Sequence, residues 1–153
     1  MSKIILKDTE TYLRPEDEKS NRYMPFTVPE GTKKLYITYS YSPKILEDKE
    51  KSYELIKENI LRDAPEDINR YPDYEEFLPL KNLVTVSLDS PEGFRGAAHR
   101  HDDVQFHEIS EDFASPGFLK GKITEGQWIL SLNIHAVITD VCTCRIKIEG
   151  ETE

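Results

Sequence analysis

One short stretch carries side chains with the donor atoms for metal or acid–base chemistry: His99, His101, Asp102, Asp103 and His107. Alternation along a strand would set His99 and His101 on one face, and two imidazoles with a carboxylate such as Asp103 can hold zinc or another transition metal. His99, His101, Asp103 and His107 are therefore the candidate metal ligands, with His135 as a further donor from the outward face of a later strand. Such a site would make the chain a metal-dependent hydrolase. The plainer reading is a polar strand–loop–strand crossing with solvated charges, and it is favoured because no second ligand set stands elsewhere in the sequence.

A cleft rimmed by Arg95, His99, His101 and Trp128 would suit a carbohydrate or other small ligand. Exposed aromatics stack against sugar rings, and Tyr36, Tyr39, Tyr41, Tyr71, Tyr74, Phe118 and Trp128 are the candidates. Tyr39 and Tyr41 share a strand face with Leu35 and Ile37, which assigns them to a core. Tyr36 points the other way and is expected to meet a helix. Cys142 and Cys144 are too closely spaced for a usual zinc pair and read as small buried hydrophobes. Asp89, Glu92, Asp102 and Asp103 stand near turns, where sandwich domains hold calcium, but without EF-hand spacing they read as solvated loop charges. The sequence contains no Gly-x-Ser-x-Gly elbow, P-loop or Gly-x-Gly-x-x-Gly. The expectation is a protein without catalytic machinery or a cofactor.

Composition bounds the partners. The 153 residues carry 20 Lys and Arg against 29 Asp and Glu, a formal charge of −9. Such a chain repels phosphate backbones, so nucleic acid is not an expected partner. Hydrophobic residues at 37% and 8 Tyr, 6 Phe and 1 Trp are enough for a folded core. Near the amino terminus only Ile4-Ile5-Leu6 is apolar, far short of a secretory signal. No run approaches the roughly 20 apolar residues of a membrane span. The expected location is the cytoplasm, which also suits two unpaired cysteines.

Periodicity supplies the elements. Period-two patterns predict strands over 3–7, 23–28, 35–41, 83–88, 94–100, 104–109 and 127–137, and a last strand holding Cys144, Ile146 and Ile148. Pro25 predicts an edge or a bulge. Pro29-Glu30-Gly31-Thr32 is a turn. From 45 to 62 the period changes. Lys49, Tyr53, Ile56 and Ile60 form a helical stripe, ended by Ala64-Pro65. Residues 66–80 read as irregular structure anchored by Tyr71, Tyr74 and Phe77. The fold class is all-β: one domain over 1–153, an antiparallel β-sandwich or jelly roll with one amphipathic helical insertion.

An ordered set of short motifs runs through the chain. Tyr23-Met24-Pro25-Phe26-Thr27-Val28-Pro29-Glu30-Gly31 comes first, then Leu35–Tyr41, Phe94-Arg95-Gly96, Ser115-Pro116-Gly117-Phe118-Leu119 and Gly126-Gln127-Trp128. This set resembles the amino-terminal accessory β-sandwich of bacterial PHP-domain metallohydrolases of the carbaryl-hydrolase-like (CehA/McbA) type. In that family the metal site belongs to a separate, later domain. The resemblance thus implies a free-standing, non-catalytic accessory module, working through a protein partner or a homo-oligomer.

Overall fold

The computed structural model describes residues 2–67 and 74–152. Among these the elements run β1 (Ser2–Leu13), β2 (Ser20–Val28), β3 (Thr32–Ser42), β4 (Ile45–Leu46), α1 (Lys49–Asp63), β5 (Leu80–Lys81), β6 (Leu83–Ser90), β7 (Gly93–Ala98), β8 (Val104–Ser110), β9 (Gly126–Ala136) and β10 (Cys142–Thr152). Two antiparallel four-stranded sheets form the sandwich, in the orders β1-β10-β3-β8 and β2-β9-β6-β7. The β4–β5 ladder ties the two ends of the helical excursion together.

Alternation fills the space between the sheets. The first contributes Leu35, Ile37, Tyr39, Tyr41, Cys144, Ile146 and Ile148. The second contributes Val84, Val86, Leu88, Trp128, Leu130, Leu132 and Ile134, all buried. Each side chain of this size adds about 1.5–3 kcal/mol by leaving water. Tyr39 also crosses the core to donate its hydroxyl to the Val84 carbonyl at 2.7 Å. Cys142 and Cys144 are free and buried beside it, as their shared strand face predicts.

Several boundaries differ from expectation for physical reasons. β1 extends to Leu13 because it is an edge strand, so the polar side chains of Asp8, Thr9, Glu10 and Thr11 are tolerated and leave no apolar signal. Pro25 does stand on an edge strand, β2, where its missing N–H costs no ladder bond. The helix begins at Lys49, after Asp48 caps it by accepting from the Lys51 amide at 3.1 Å. Ile45 and Leu46 are spent on β4 instead. Its inner stripe is Ser52 and Ile56, and Lys49 is exposed and reaches Glu75 at 3.0 Å. Tyr74 packs edge-on against Tyr53, at 5.9 Å between centroids. Tyr71 lies outside the described residues.

The open side of the sandwich, between the edge strands β7 and β8, is closed by residues 111–125. Phe118 enters there, only 7% exposed. Bridges from Gly96 to Phe118 and from Ile109 to Ala114 hold the segment on both edges.

Candidate functional site

The histidine cluster is not assembled. β7 ends at Ala98 in the second sheet and β8 begins at Val104 in the first, so 99–103 crosses from one sheet to the other. His99 and His101 fall in this crossing and are exposed, not on one strand face. His107 is on β8 but points inward and is 0% exposed. Its Nε2 is 2.8 Å from Gln105 Oε1, its ring lies 4.8 Å from that of Phe118, and its Nδ1 has no hydrogen-bond partner among the described residues. Burial, helped by the nearby Arg100 charge, pushes its imidazole down to about 4. Asp103 is engaged through its backbone carbonyl, which accepts from the Tyr41 amide at 2.9 Å. His135 stands on the outer face of β9, 2.9 Å from Thr85 Oγ1. Among the described residues no three His, Cys, Asp or Glu side chains come together in a way that could hold a metal ion.

Arg95 and Trp128 do meet, but as parts of the scaffold. The guanidinium lies 5.0 Å over the indole. Its nitrogens donate to the carbonyls of Leu119, Gly121 and Lys122 at 3.0–3.2 Å. Trp128 is 0% exposed and donates to the Thr124 carbonyl at 2.8 Å. The open hollow beside Arg95 is bounded by Phe94, Leu119 and Lys120, not by His99, His101 or Trp128. The sequence offers Arg95 to the rim of a ligand cleft because the loop carbonyls that occupy it are 24–27 residues away. Glu92 takes the Thr124 hydroxyl at 2.6 Å. Tyr36 meets Phe106 of the neighbouring strand at 5.9 Å rather than the helix. Its phenol is pushed up to about 12, first by its hydrogen bond to Glu151 and then by burial.

The strand pairing places together a set of residues that no motif announced. The outer face of the first sheet is densely charged, with Arg145 3.3 Å from Asp8 and 3.8 Å from Glu10, and Lys34 3.6 Å from Glu108. The outer face of the second sheet is its opposite. One row across it reads Tyr23, Ser131, Ser87, Ala97, and the next reads Pro25, Ile129, Asp89, Phe94. A third row holds Asn21, Asn133 and Thr85. Asp89 is the one formally charged side chain in these rows. Ser131 at 4% and Thr85 at 3% exposure form a floor of short side chains. Tyr23 and Phe94 stand up from the two edges, 66% and 60% exposed. They are three strands apart, roughly 14 Å at the usual strand spacing. The outward positions of β9 were readable as uncharged from the sequence. Which strands flank β9, and therefore the face, was not.

No protein-family model matches the chain, and no curated protein matches it. No helix of the described residues is long and apolar enough to cross a membrane.

Proposed function

We propose that the chain is a non-catalytic binding module that works through a protein surface, using the outer face of its second sheet, with a second copy of itself as the first partner. The observation that carries this reading is the loss of charge on that one face. A chain of charge −9 repels its own copies. That repulsion is least where two charge-poor faces approach, each carrying Asp89 as the one formal charge of its three rows. Interface cores are depleted in charge and enriched in aromatics such as Tyr and Phe. Short side chains in the floor let a second sheet settle at the usual ~10 Å separation. The resemblance of the ordered motifs to the accessory sandwich of PHP-type hydrolases supports a module of this kind, as does the all-β antiparallel architecture.

Sedimentation velocity over a wide concentration range tests it. The expected result is reversible dimerisation that Tyr23→Asp and Phe94→Asp each weaken, both positions being exposed enough to fold normally. Phe106→Asp, the same change of charge at an exposed position of the first sheet, should leave it unchanged. A monomer at every concentration, or a dimer indifferent to both substitutions, overturns self-association. A second reading is favoured by one feature, the density of hydroxyl and amide groups between the two aromatics. Such a floor also fits a carbohydrate, with Tyr23 and Phe94 stacking on sugar rings.

A further inference from the structure

On a different surface, a cavity of about 520 Å³ opens between α1 and the end of the sandwich. Its walls are apolar: Leu55, Ile56 and Ile60 from the helix, and Leu80, Val137 and Ile138 from the sandwich. The volume lies within the range of small-molecule sites, roughly 300–1,000 Å³.

The helix is held off the sandwich by a fixed root. Asn82 is fully buried there. Its amide nitrogen donates to the Pro43 carbonyl and to Thr139 Oγ1, both at 2.9 Å, and its Oδ1 accepts from the Ile138 amide at 2.7 Å. One side chain thus ties the start of the excursion, its return and the β9–β10 loop. The cavity lies beyond this knot.

The mouth has an excess of carboxylate. Both of its cations are already committed. Lys51 Nζ is 2.5 Å from Asp140 Oδ1. Arg62 is 3.1 Å from Asp63 and also donates to Asn59. Glu18 accepts from the Val137 amide at 2.9 Å. Among the described residues neither Glu18 nor Glu58 makes a direct ion pair, and both act on Arg62 only at longer range, its direct ion pair being with Asp63. Apolar walls with three carboxylates, Glu18, Glu58 and Asp140, against two cations, Lys51 and Arg62, suit one chemistry above others.

We propose that this cavity binds an amphipathic cation, an aryl- or alkyl-ammonium. Its apolar body would lie between α1 and the sandwich, with the ammonium beside Glu58 and Glu18. The net negative charge of the chain favours the approach of such a ligand.

The test uses 1-naphthylmethylammonium as probe and 1-naphthoate as the anionic counterpart of similar shape, followed by methyl NMR on the intact chain. The expected result is saturable shifts of the Leu55, Ile56, Val137 and Ile138 methyls with the ammonium, and weaker binding of the carboxylate. Glu58→Gln should reduce affinity about two- to fivefold, the effect of one partly exposed ion pair. Ile60→Trp, which fills the cavity, should abolish binding. No shifts at these methyls, or carboxylate binding as tight as ammonium binding, overturns the proposal. Binding that survives Ile60→Trp in a folded variant overturns it too, and if that variant does not fold, the methyl map of the unaltered chain still decides.

Discussion

Gly96 and Gly117 lie backbone against backbone. A Cβ built on Gly96 would sit 2.4 Å from the Gly117 carbonyl oxygen, and one on Gly117 would sit 2.3 Å from the Ala97 carbonyl oxygen. Both glycines also hold positive φ, +115° and +96°. Gly96→Ala and Gly117→Ala therefore combine a left-handed backbone with a collision against main chain. Each is expected to cost about 2–4 kcal/mol. Gly31 has φ +88° but nothing within 4 Å of its Cβ site, so Gly31→Ala should cost only about 1–2 kcal/mol. Urea denaturation of the three variants separates strain alone from strain plus contact.

His107 makes stability fall with acid. Its folded pKa of about 4 is below the ordinary 6.5, so the unfolded chain binds the proton more readily. Stability is complete above about pH 6.5 and is lost as pH falls toward 4, by about 3 kcal/mol at most. His107→Gln should flatten this limb of the curve. Urea midpoints measured from neutral to acid pH for both proteins give the comparison. An unchanged slope in the variant would assign the acid limb to other groups.

Arg95 holds the closing segment 111–125 through three carbonyls and the Trp128 ring. Arg95→Ala leaves those carbonyls to water and is expected to cost about 2 kcal/mol. Arg95→Lys should recover little of it, because an ammonium lacks the planar fork that reaches several acceptors at once. Hydrogen exchange should localise the effect. The Leu119 amide, bonded to the Arg95 carbonyl at 3.0 Å, and the Gly121 amide, bonded to the Ser110 carbonyl at 3.0 Å, should exchange faster.

Asn82→Ala strips partners from the Ile138 amide, the Pro43 carbonyl and Thr139 together. With the site fully buried, a loss of about 2–4 kcal/mol is expected. Amide exchange in α1 should rise more than in β9 or β10, since the knot roots the helix while the sheets keep their own ladders.

The two-layer β architecture was legible because its cues are local. Alternation at Leu35, Ile37, Tyr39 and Tyr41 places four side chains in the core from the sequence alone, and Pro25 announces an edge. The failures arise where partners are distant. Alternation sets His99 and His101 on one face only while a strand continues, and β7 stops at Ala98. His107 has the chemistry of a ligand, but its odd register on β8 matches that of buried Gln105 and Ile109. Arg95 reads as part of a ligand cleft because its acceptors lie in another loop. The charge-poor face around Ser131 depends on β6 and β2 flanking β9, an order that no window of sequence contains.

Each strand of the first sheet has its neighbours far away along the chain. β1 pairs with β10, from Ser2 opposite Thr152 to Leu13 opposite Cys142, and β10 then separates β1 from β3. β8, too, reaches β3 only across the whole helical excursion. Until β10 is available, β1 has no ladder and β3 lacks one of its two. Loops of this length must close before any contact repays them, so folding should be slow for a chain of this size. On the ribosome the first sheet has to wait for its last strand, and for that interval the apolar faces of β3 and of the second sheet stand open to chaperones or to one another.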